Sequence, residues 1–212
     1  MPFNLPILLT WLRIVAIPLL VLVYYLPGAW LPLPERNLIA TLLFIAAAVT
    51  DWLDGFLARR WNQTSAFGAF LDPVADKLIV TTALIVLVEL DRTHAAVAAI
   101  IIGREITISA LREWMAKIGA AKNVAVSMIG KIKTTAQMIA IVLLLLGSPA
   151  TLPGWALLKP VFGPLPVTFV ADWLPLTGTL LLWIAALLTL WSMGYYLRRA
   201  WPEIARQTEE ST

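Results

Sequence analysis

The fold of this chain is decided by residues 51–76, DWLDGFLARRWNQTSAFGAFLDPVAD, which lie between two long apolar runs. Two pairs of aspartates stand in this stretch: Asp51 and Asp54 are three residues apart, and Asp72 and Asp76 are four apart. Helical residues at these spacings share one face, so each pair is expected to project from one side of its helix. The short connection between the pairs predicts two antiparallel neighbouring helices, with both acidic pairs at the same membrane level.

The composition of the whole chain is that of an integral membrane protein. Its 212 residues are 60% hydrophobic and only 14% charged, whereas about a quarter of the residues in a soluble domain are charged. At roughly 20 apolar residues per crossing, this length permits about six membrane helices. The apolar segments are Leu5–Leu26, Asn37–Ala58, Gly68–Leu90, His94–Ala116, Ser127–Leu146 and Thr177–Leu197.

We therefore predict an all-α integral membrane fold with six transmembrane helices. Residues 1–200 are expected to form a single domain, and residues 201–212 a short cytoplasmic C-terminal tail. The long connection from Gly147 to Leu176 contains six prolines, which argues against a continuous helix in that segment.

The distribution of lysine and arginine predicts how the chain is oriented. Nine of these residues lie in the second and fourth connections, at the start of the fifth apolar segment or after the sixth segment, against three in the first, third and fifth connections. Because positively charged loops stay in the cytoplasm, both termini and the even-numbered connections are predicted to face the cytoplasm. The protein is accordingly predicted to be a multi-pass protein of the inner membrane. The net charge of +3 then favours anionic membrane lipids, and not nucleic acid, as charged partners.

The residue types that are absent or rare in the chain exclude several kinds of catalytic and metal-binding site. The chain has no cysteine, which excludes disulfides and thiolate sites, and a single histidine, His94, which leaves little for a His-rich metal site. Four converging carboxylates would repel one another unless hard divalent cations neutralised them, and oxygen-only ligands suit two ions of Mg²⁺ or Mn²⁺. The alternative is a structural charge cluster, in which the aspartates pair with Arg59, Arg60 and Lys77.

Residues 51–76 match the pattern D-x2-D-G-x2-A-R-x8-G-x3-D-x3-D at every specified position. This string resembles the signature of the CDP-alcohol phosphotransferase family. Segments Asn4–Pro18, Gly103–Glu113 and Gly130–Met138 look like the bacterial members that make phosphatidylglycerophosphate. The resemblance implies the six-helix fold of that family, a cytoplasmic active site and a homodimer. It also implies transfer of the phosphatidyl group from CDP-diacylglycerol to sn-glycerol 3-phosphate, with release of CMP.

The same resemblance implies roles for individual residues. It makes four aspartates the metal ligands: Asp51, Asp54, Asp72 and Asp76. It also makes Asp76 the general base that takes the proton of the attacking glycerol hydroxyl. Residues expected to bind CDP-diacylglycerol are Asn4, Thr10, Gly55, Ala58, Arg59 and Gly68. A small dianion such as glycerol 3-phosphate needs cationic side chains, and those expected to bind it are Arg104, Arg112, Lys131 and Lys133.

Several alternatives stay open at the level of the sequence. Arg59 would alternatively stabilise the end of its helix, and Arg112, Lys131 and Lys133 would alternatively anchor the protein at the cytoplasmic surface. Serine, inositol, inositol phosphate or phosphatidylglycerol would be the acceptor in related enzymes that use the same donor. A cation-coupled transporter would use the acids as its ion path, but such proteins usually show internal repeats, and this chain shows none.

Overall fold

The computed structural model describes residues 5–61, 66–120, 128–147 and 167–210, and within them the chain is helical apart from short connections. The six helices are α1 (Leu5–Tyr25), α2 (Leu33–Trp61), α3 (Ala66–Glu89), α4 (Ala95–Lys117), α5 (Met128–Leu146) and α6 (Val167–Glu210). The described residues contain no strand. The prediction of an all-α chain with six helices is therefore confirmed for this part of the protein.

The last helix is longer than expected. The apolar pattern predicted a helix over Thr177–Leu197, but α6 runs over Val167–Glu210. The expectation of a proline-interrupted connection is thus wrong for residues 167–176, which include Pro175. A proline removes one helical hydrogen bond, but an apolar helix cannot replace its remaining bonds with bonds to water, so the helix persists around it. Residues 148–166 lie outside the described part of the chain.

Three of the described helices are long and apolar enough to cross a membrane. Their apolar stretches are Leu8–Tyr25, Leu33–Asp51 and Trp173–Arg206. Charged residues interrupt α3 at Asp76 and Lys77, and α4 at Arg104 and Glu105. The structure thus agrees with a helical membrane protein, while six spans with both termini in the cytoplasm stay a prediction.

The chain divides into two compact units. The first comprises Met1–Thr93 and Ile141–Thr179, and the second comprises His94–Ala140 and Leu180–Thr212. The prediction of a single domain over residues 1–200 followed by a tail stays untested. Residues 201–210 of that expected tail are helical, because they continue α6.

Contacts of α1 with both α2 and α3 form the core of the first unit. Leu20 of α1, Phe44 of α2 and Leu84 of α3 are almost fully buried there. In the second unit, a small apolar cluster joins the second half of α4 to α6. Its buried members are Ile108, Met115, Tyr196 and Ala200.

Arg92, in the connection after α3, caps α5 within the first unit. Its guanidinium donates hydrogen bonds to the Leu144 carbonyl (2.9 Å), the Leu145 carbonyl (2.8 Å) and Asn37 Oδ1 (2.9 Å). The last carbonyls of a helix lack partners in their own helix, so a cation at this place satisfies them and favours the helix dipole. Burial lowers the pKa of Arg92, an effect that the nearby Tyr24 partly offsets. The contact therefore ties α5 to the start of α2.

Gly178 allows α6 to approach α5 closely in the first unit. A Cβ atom at this position would lie 2.9 Å from Leu144 Cγ and 3.2 Å from Leu143 Cβ. Gly194, in the same helix, has no described atom within 4 Å of the place where a Cβ would stand.

We expect Gly178→Ala to lower the free energy of unfolding by about 1–3 kcal/mol, because the added methyl overpacks the contact with Leu144. Gly194→Ala is the matched control, and its better helix propensity is expected to be neutral or to add up to about 1 kcal/mol. Thermal unfolding of both variants in detergent measures the difference. Equal shifts for the two variants would contradict the close approach at Gly178.

Candidate active site

One turn of α1 carries two buried polar side chains, Thr10 and Arg13, each about 1% exposed. Residues three apart on a helix share a face, so both side chains point the same way. Leaving an arginine at membrane depth without a counter-charge is costly. The sequence around them is otherwise apolar, so their partners must come from other helices.

Those partners are two of the predicted metal ligands. Arg13 Nη1 lies 2.8 Å from Asp51 Oδ1 of α2, and the Thr10 hydroxyl donates a hydrogen bond to Asp72 Oδ1 of α3. Because Thr10 and Arg13 are on one face of α1, Asp51 and Asp72 are brought to the same level of the first unit. One turn of α1 therefore organises carboxylates from both acidic helices.

The other two aspartates are described less fully. Asp76 lies one helical turn after Asp72, and its side chain is exposed. Asp54 is in α2, but its side chain lies outside the described part of the structure. The side chain of Asp51 is 44% exposed, so this carboxylate is open to solvent on one side although Arg13 is buried.

The donor set suits a hard divalent cation. Aspartate oxygens are the ligands that Mg²⁺ and Mn²⁺ prefer, and a carboxylate bonded to one donor keeps lone pairs for a metal. Among the described side chains, no three histidines, aspartates or glutamates converge closely enough to form a metal-binding group. Since Asp54 is not among those side chains, the four-ligand site stays a prediction.

The structure describes only some of the residues predicted to bind CDP-diacylglycerol. Gly68 is buried in the first turn of α3. Gly55, Ala58 and Arg59 belong to α2, but their side chains, like the whole of Asn4, lie outside the described residues. The Thr10 hydroxyl donates a hydrogen bond to Asp72. Its contact in the structure is therefore with a predicted metal ligand, and a contact with CDP-diacylglycerol stays a prediction.

The alternative of a structural charge cluster stays untested for the residues that it named, because the side chain of Arg59 lies outside the described part of the structure. It paired the aspartates with Arg59, Arg60 and Lys77. The partner that the structure gives Asp51 is Arg13 of α1, which that alternative did not include.

A second polar group lies in the second unit, where α4 and α5 supply three charged side chains. Glu105 Oε1 accepts from Lys133 Nζ at 2.8 Å and from Arg104 Nη1 at 3.0 Å. Lys133 is 1% exposed and Arg104 is 7% exposed. Arg104 Nη2 also donates to Ser192 Oγ at 3.3 Å, and the Ser192 hydroxyl donates to the Thr189 carbonyl of α6 at 2.9 Å.

Arg112 lies on the same helix, eight residues after Arg104. Its guanidinium carbon stands 5.3 Å from the centre of the Tyr196 ring, a cation–π distance. The side chain of Lys131 lies outside the described part. The burial of Lys133 disfavours the alternative that this residue anchors the protein at the membrane surface, because an anchoring side chain reaches the headgroups and water.

Sequence reasoning missed four residues that hold these groups in place. Two of them, Arg13 and Glu105, carried a usable signal: each is a charged residue inside an apolar segment, and such residues need a partner. Ser192 and Tyr196 carried no signal, because serine and tyrosine are ordinary in membrane helices and their partners are far away in sequence.

Comparison with known proteins agrees with the motif. The family model for CDP-alcohol phosphatidyltransferases matches residues 3–191, a range that includes every predicted site residue. A protein of Salmonella choleraesuis (strain SC-B67) is 48% identical over 202 residues, which cover 94% of this chain and 96% of that protein. A protein of Escherichia coli (strain K12) is 47% identical over 209 residues, which cover 98% of this chain and 100% of that protein.

Both relatives are named CDP-diacylglycerol--glycerol-3-phosphate 3-phosphatidyltransferase. With a family match over most of its length and relatives of this similarity, the chain belongs to the CDP-alcohol phosphatidyltransferase family.

Proposed function

We propose that this protein transfers the phosphatidyl group of CDP-diacylglycerol to sn-glycerol 3-phosphate, which yields phosphatidylglycerophosphate and CMP. The observation that carries the proposal is the near full-length similarity to the Salmonella and Escherichia coli proteins whose names state this reaction. The charges of the two polar groups support it. Acidic side chains suit a metal-bound pyrophosphate donor, and buried cations suit the phosphate of the acceptor.

The donor site is proposed to centre on the four aspartates. Members of this family generally use divalent metal ions, and here two ions of Mg²⁺ or Mn²⁺ would be held by Asp51, Asp54, Asp72 and Asp76. When bound, such ions neutralise the pyrophosphate and the charge that develops on the departing CMP. Arg13 and Thr10 hold Asp51 and Asp72 in place. Small residues leave space beside the donor, namely Gly55, Ala58 and Gly68, while Arg59 and Asn4 contact it.

The chemical step is a direct displacement at the β-phosphorus of the donor. The glycerol hydroxyl oxygen forms the new bond to phosphorus, and the bond to the bridging oxygen of CMP breaks. CMP leaves with that electron pair, and Asp76 takes the proton of the attacking hydroxyl. The exposed position of Asp76 allows the proton to pass on to water, and no covalent bond to the enzyme is needed.

The acceptor site is proposed to use the cationic residues Arg104, Arg112, Lys131 and Lys133. Arginine offers paired N–H donors for phosphate oxygens, and lysine adds a point charge. The burial of Arg104 and Lys133 supports this role. Charges shielded from water act more strongly on an anion than charges at the surface do.

The protein is proposed to lie in the inner membrane with six spans, both termini in the cytoplasm and the active site facing the cytoplasm. The uneven distribution of lysine and arginine supports this orientation. The same basic residues would contact anionic membrane lipids. A homodimer is proposed from family resemblance.

The reaction is tested by CMP release from detergent-purified protein that is supplied with CDP-diacylglycerol and Mg²⁺ or Mn²⁺. We expect release with glycerol 3-phosphate alone among glycerol 3-phosphate, serine, inositol, inositol phosphate and phosphatidylglycerol, and we expect EDTA to abolish it. Release with another acceptor would reassign the cationic site but keep the donor chemistry. No release from folded protein with any acceptor would contradict the proposed function and favour a transporter.

Asp76→Asn is expected to slow CMP release by about 10²–10⁴-fold, because the amide keeps the size of the side chain but cannot take the proton. Asp91→Asn is the matched control, since Asp91 lies in an exposed turn with φ 54°, a conformation that asparagine adopts readily. Rates at saturating substrates and metal are compared. A rate for Asp76→Asn within threefold of the wild type would rule out its role as the base.

Arg13→Met is expected to reduce stability mainly in the absence of metal, because the carboxylate of Asp51 then loses its counter-charge. We expect a loss of about 1–3 kcal/mol, below the value for a fully buried pair, since Asp51 is partly exposed. Divalent ions should restore much of this loss, as measured by thermal unfolding in EDTA and in excess Mg²⁺ or Mn²⁺.

Arg36→Met is the control for the effect of metal. Arg36 donates to the carbonyls of Leu31 (2.7 Å) and Tyr24 (3.0 Å), away from the acids. The loss of stability in Arg36→Met should therefore be the same with and without metal. If Arg13→Met also behaved in this way, the proposed coupling between Arg13 and the metal ligands would be wrong.

A further inference from the structure

A single carboxylate oxygen in the second unit joins two buried cations. Glu105 Oε1 lies 2.8 Å from Lys133 Nζ and 3.0 Å from Arg104 Nη1. Two like charges this close to one point repel each other strongly where water is excluded. The observed arrangement therefore depends on the negative charge of Glu105.

The group still carries more positive than negative charge. Arg112 and Arg104 both act electrostatically on Lys133, and Glu105 is the carboxylate that offsets them. Three cations and one carboxylate leave a charge of about two positive units, which matches the dianion of a phosphate monoester.

Two hydrogen-bond donors of this group are also unused. The buried Nε atoms of Arg104 and Arg112 have no hydrogen-bond partner among the described residues. Unsatisfied buried donors are costly, and in a native protein they need an explanation. An anion that binds here would satisfy them.

We infer that Glu105 is a positioning residue for the acceptor phosphate. Its carboxylate holds Lys133 and Arg104 at one point and so presents their remaining donors, together with those of Arg112, to a phosphate dianion. Ser192 holds the guanidinium of Arg104 from the other side, because its oxygen accepts from Nη2. The inference rests on the proposed function and adds to it the residue that arranges the cations.

The chain contains a close control for Glu105. Arg112 is followed by Glu113 just as Arg104 is followed by Glu105, and Glu113 also has a lysine partner, Lys117, at 3.0 Å. Both members of this second pair are about 70% exposed. A glutamate in the same helix and the same local sequence therefore differs mainly in burial and in the cations it orders.

The test compares Glu105→Gln, Glu105→Asp and Glu113→Gln by steady-state CMP release. We expect Glu105→Gln to raise the KM for glycerol 3-phosphate at least about tenfold, as the loss of correctly placed charged hydrogen bonds would. The KM for CDP-diacylglycerol should stay within twofold. Glu105→Asp keeps the charge, so it leaves Lys133 a counter-ion, and it should raise the acceptor KM severalfold. Glu113→Gln should match the wild type.

Binding gives a second readout, namely the rise in melting temperature of each variant on adding glycerol 3-phosphate without the donor. We expect this rise in the wild type and in Glu113→Gln, and a smaller one in both Glu105 variants. A purely structural role would lower the melting temperature and the active fraction but leave the acceptor KM unchanged, and that result would overturn the inference.

A lower acceptor KM in Glu105→Gln would also overturn it, because Glu105 would then compete with the phosphate. These outcomes differ from a failure of the proposed function. In that case the wild type itself would release no CMP with glycerol 3-phosphate.

Discussion

Charged side chains at membrane depth require partners, and this constraint shapes both polar groups of the protein. In the first unit, one turn of α1 supplies what two acidic helices need. Arg13 meets Asp51 at 2.8 Å, and the Thr10 hydroxyl meets Asp72. Without this turn, Asp51 would lose the positive charge of Arg13 and Asp72 would lose the hydrogen bond of Thr10. Helix α1 is thus both the packing partner of α2 and α3 and the element that makes their acidic faces compatible.

In the second unit, the charged side chains that need partners are mainly positive. There, cations outnumber the carboxylate that orders them, and two arginine Nε atoms stay unsatisfied among the described residues. Buried positive charge without a matching negative charge is energetically costly. A net positive charge of this kind favours an anion as its partner, which is the basis for proposing it as the site for the phosphate of the acceptor.

At the other end of the first unit, the chain's own groups provide partners for a partly buried cation, Arg92. About 21 Å separate Asn37 from Asp51 along α2, at 1.5 Å per residue. At the Asn37 end, Arg92 donates hydrogen bonds to two carbonyls of α5 and to the Asn37 side-chain oxygen. Gly147 completes this cap with φ 66°, and a Cβ there would lie 3.2 Å from Asn37 Nδ2. One end is therefore closed by the chain's own groups, while the acidic end keeps exposed carboxylates.

The sequence by itself determined the helical membrane class, the approximate positions of α1 to α5 and the family. It also singled out the four aspartates, whose role as metal ligands stays a prediction. Apolar run lengths and a motif in fixed register are local properties that need no knowledge of packing. It failed over residues 167–176, because the local penalty of Pro175 does not decide the outcome inside an apolar helix. Only the tertiary structure decided which partner each charge has. The hydrogen bonds of Lys133 with Glu105 and of Arg92 with Leu144 join residues 28 and 52 positions apart, and such pairings follow from how helices pack, which the period of a single helix does not specify.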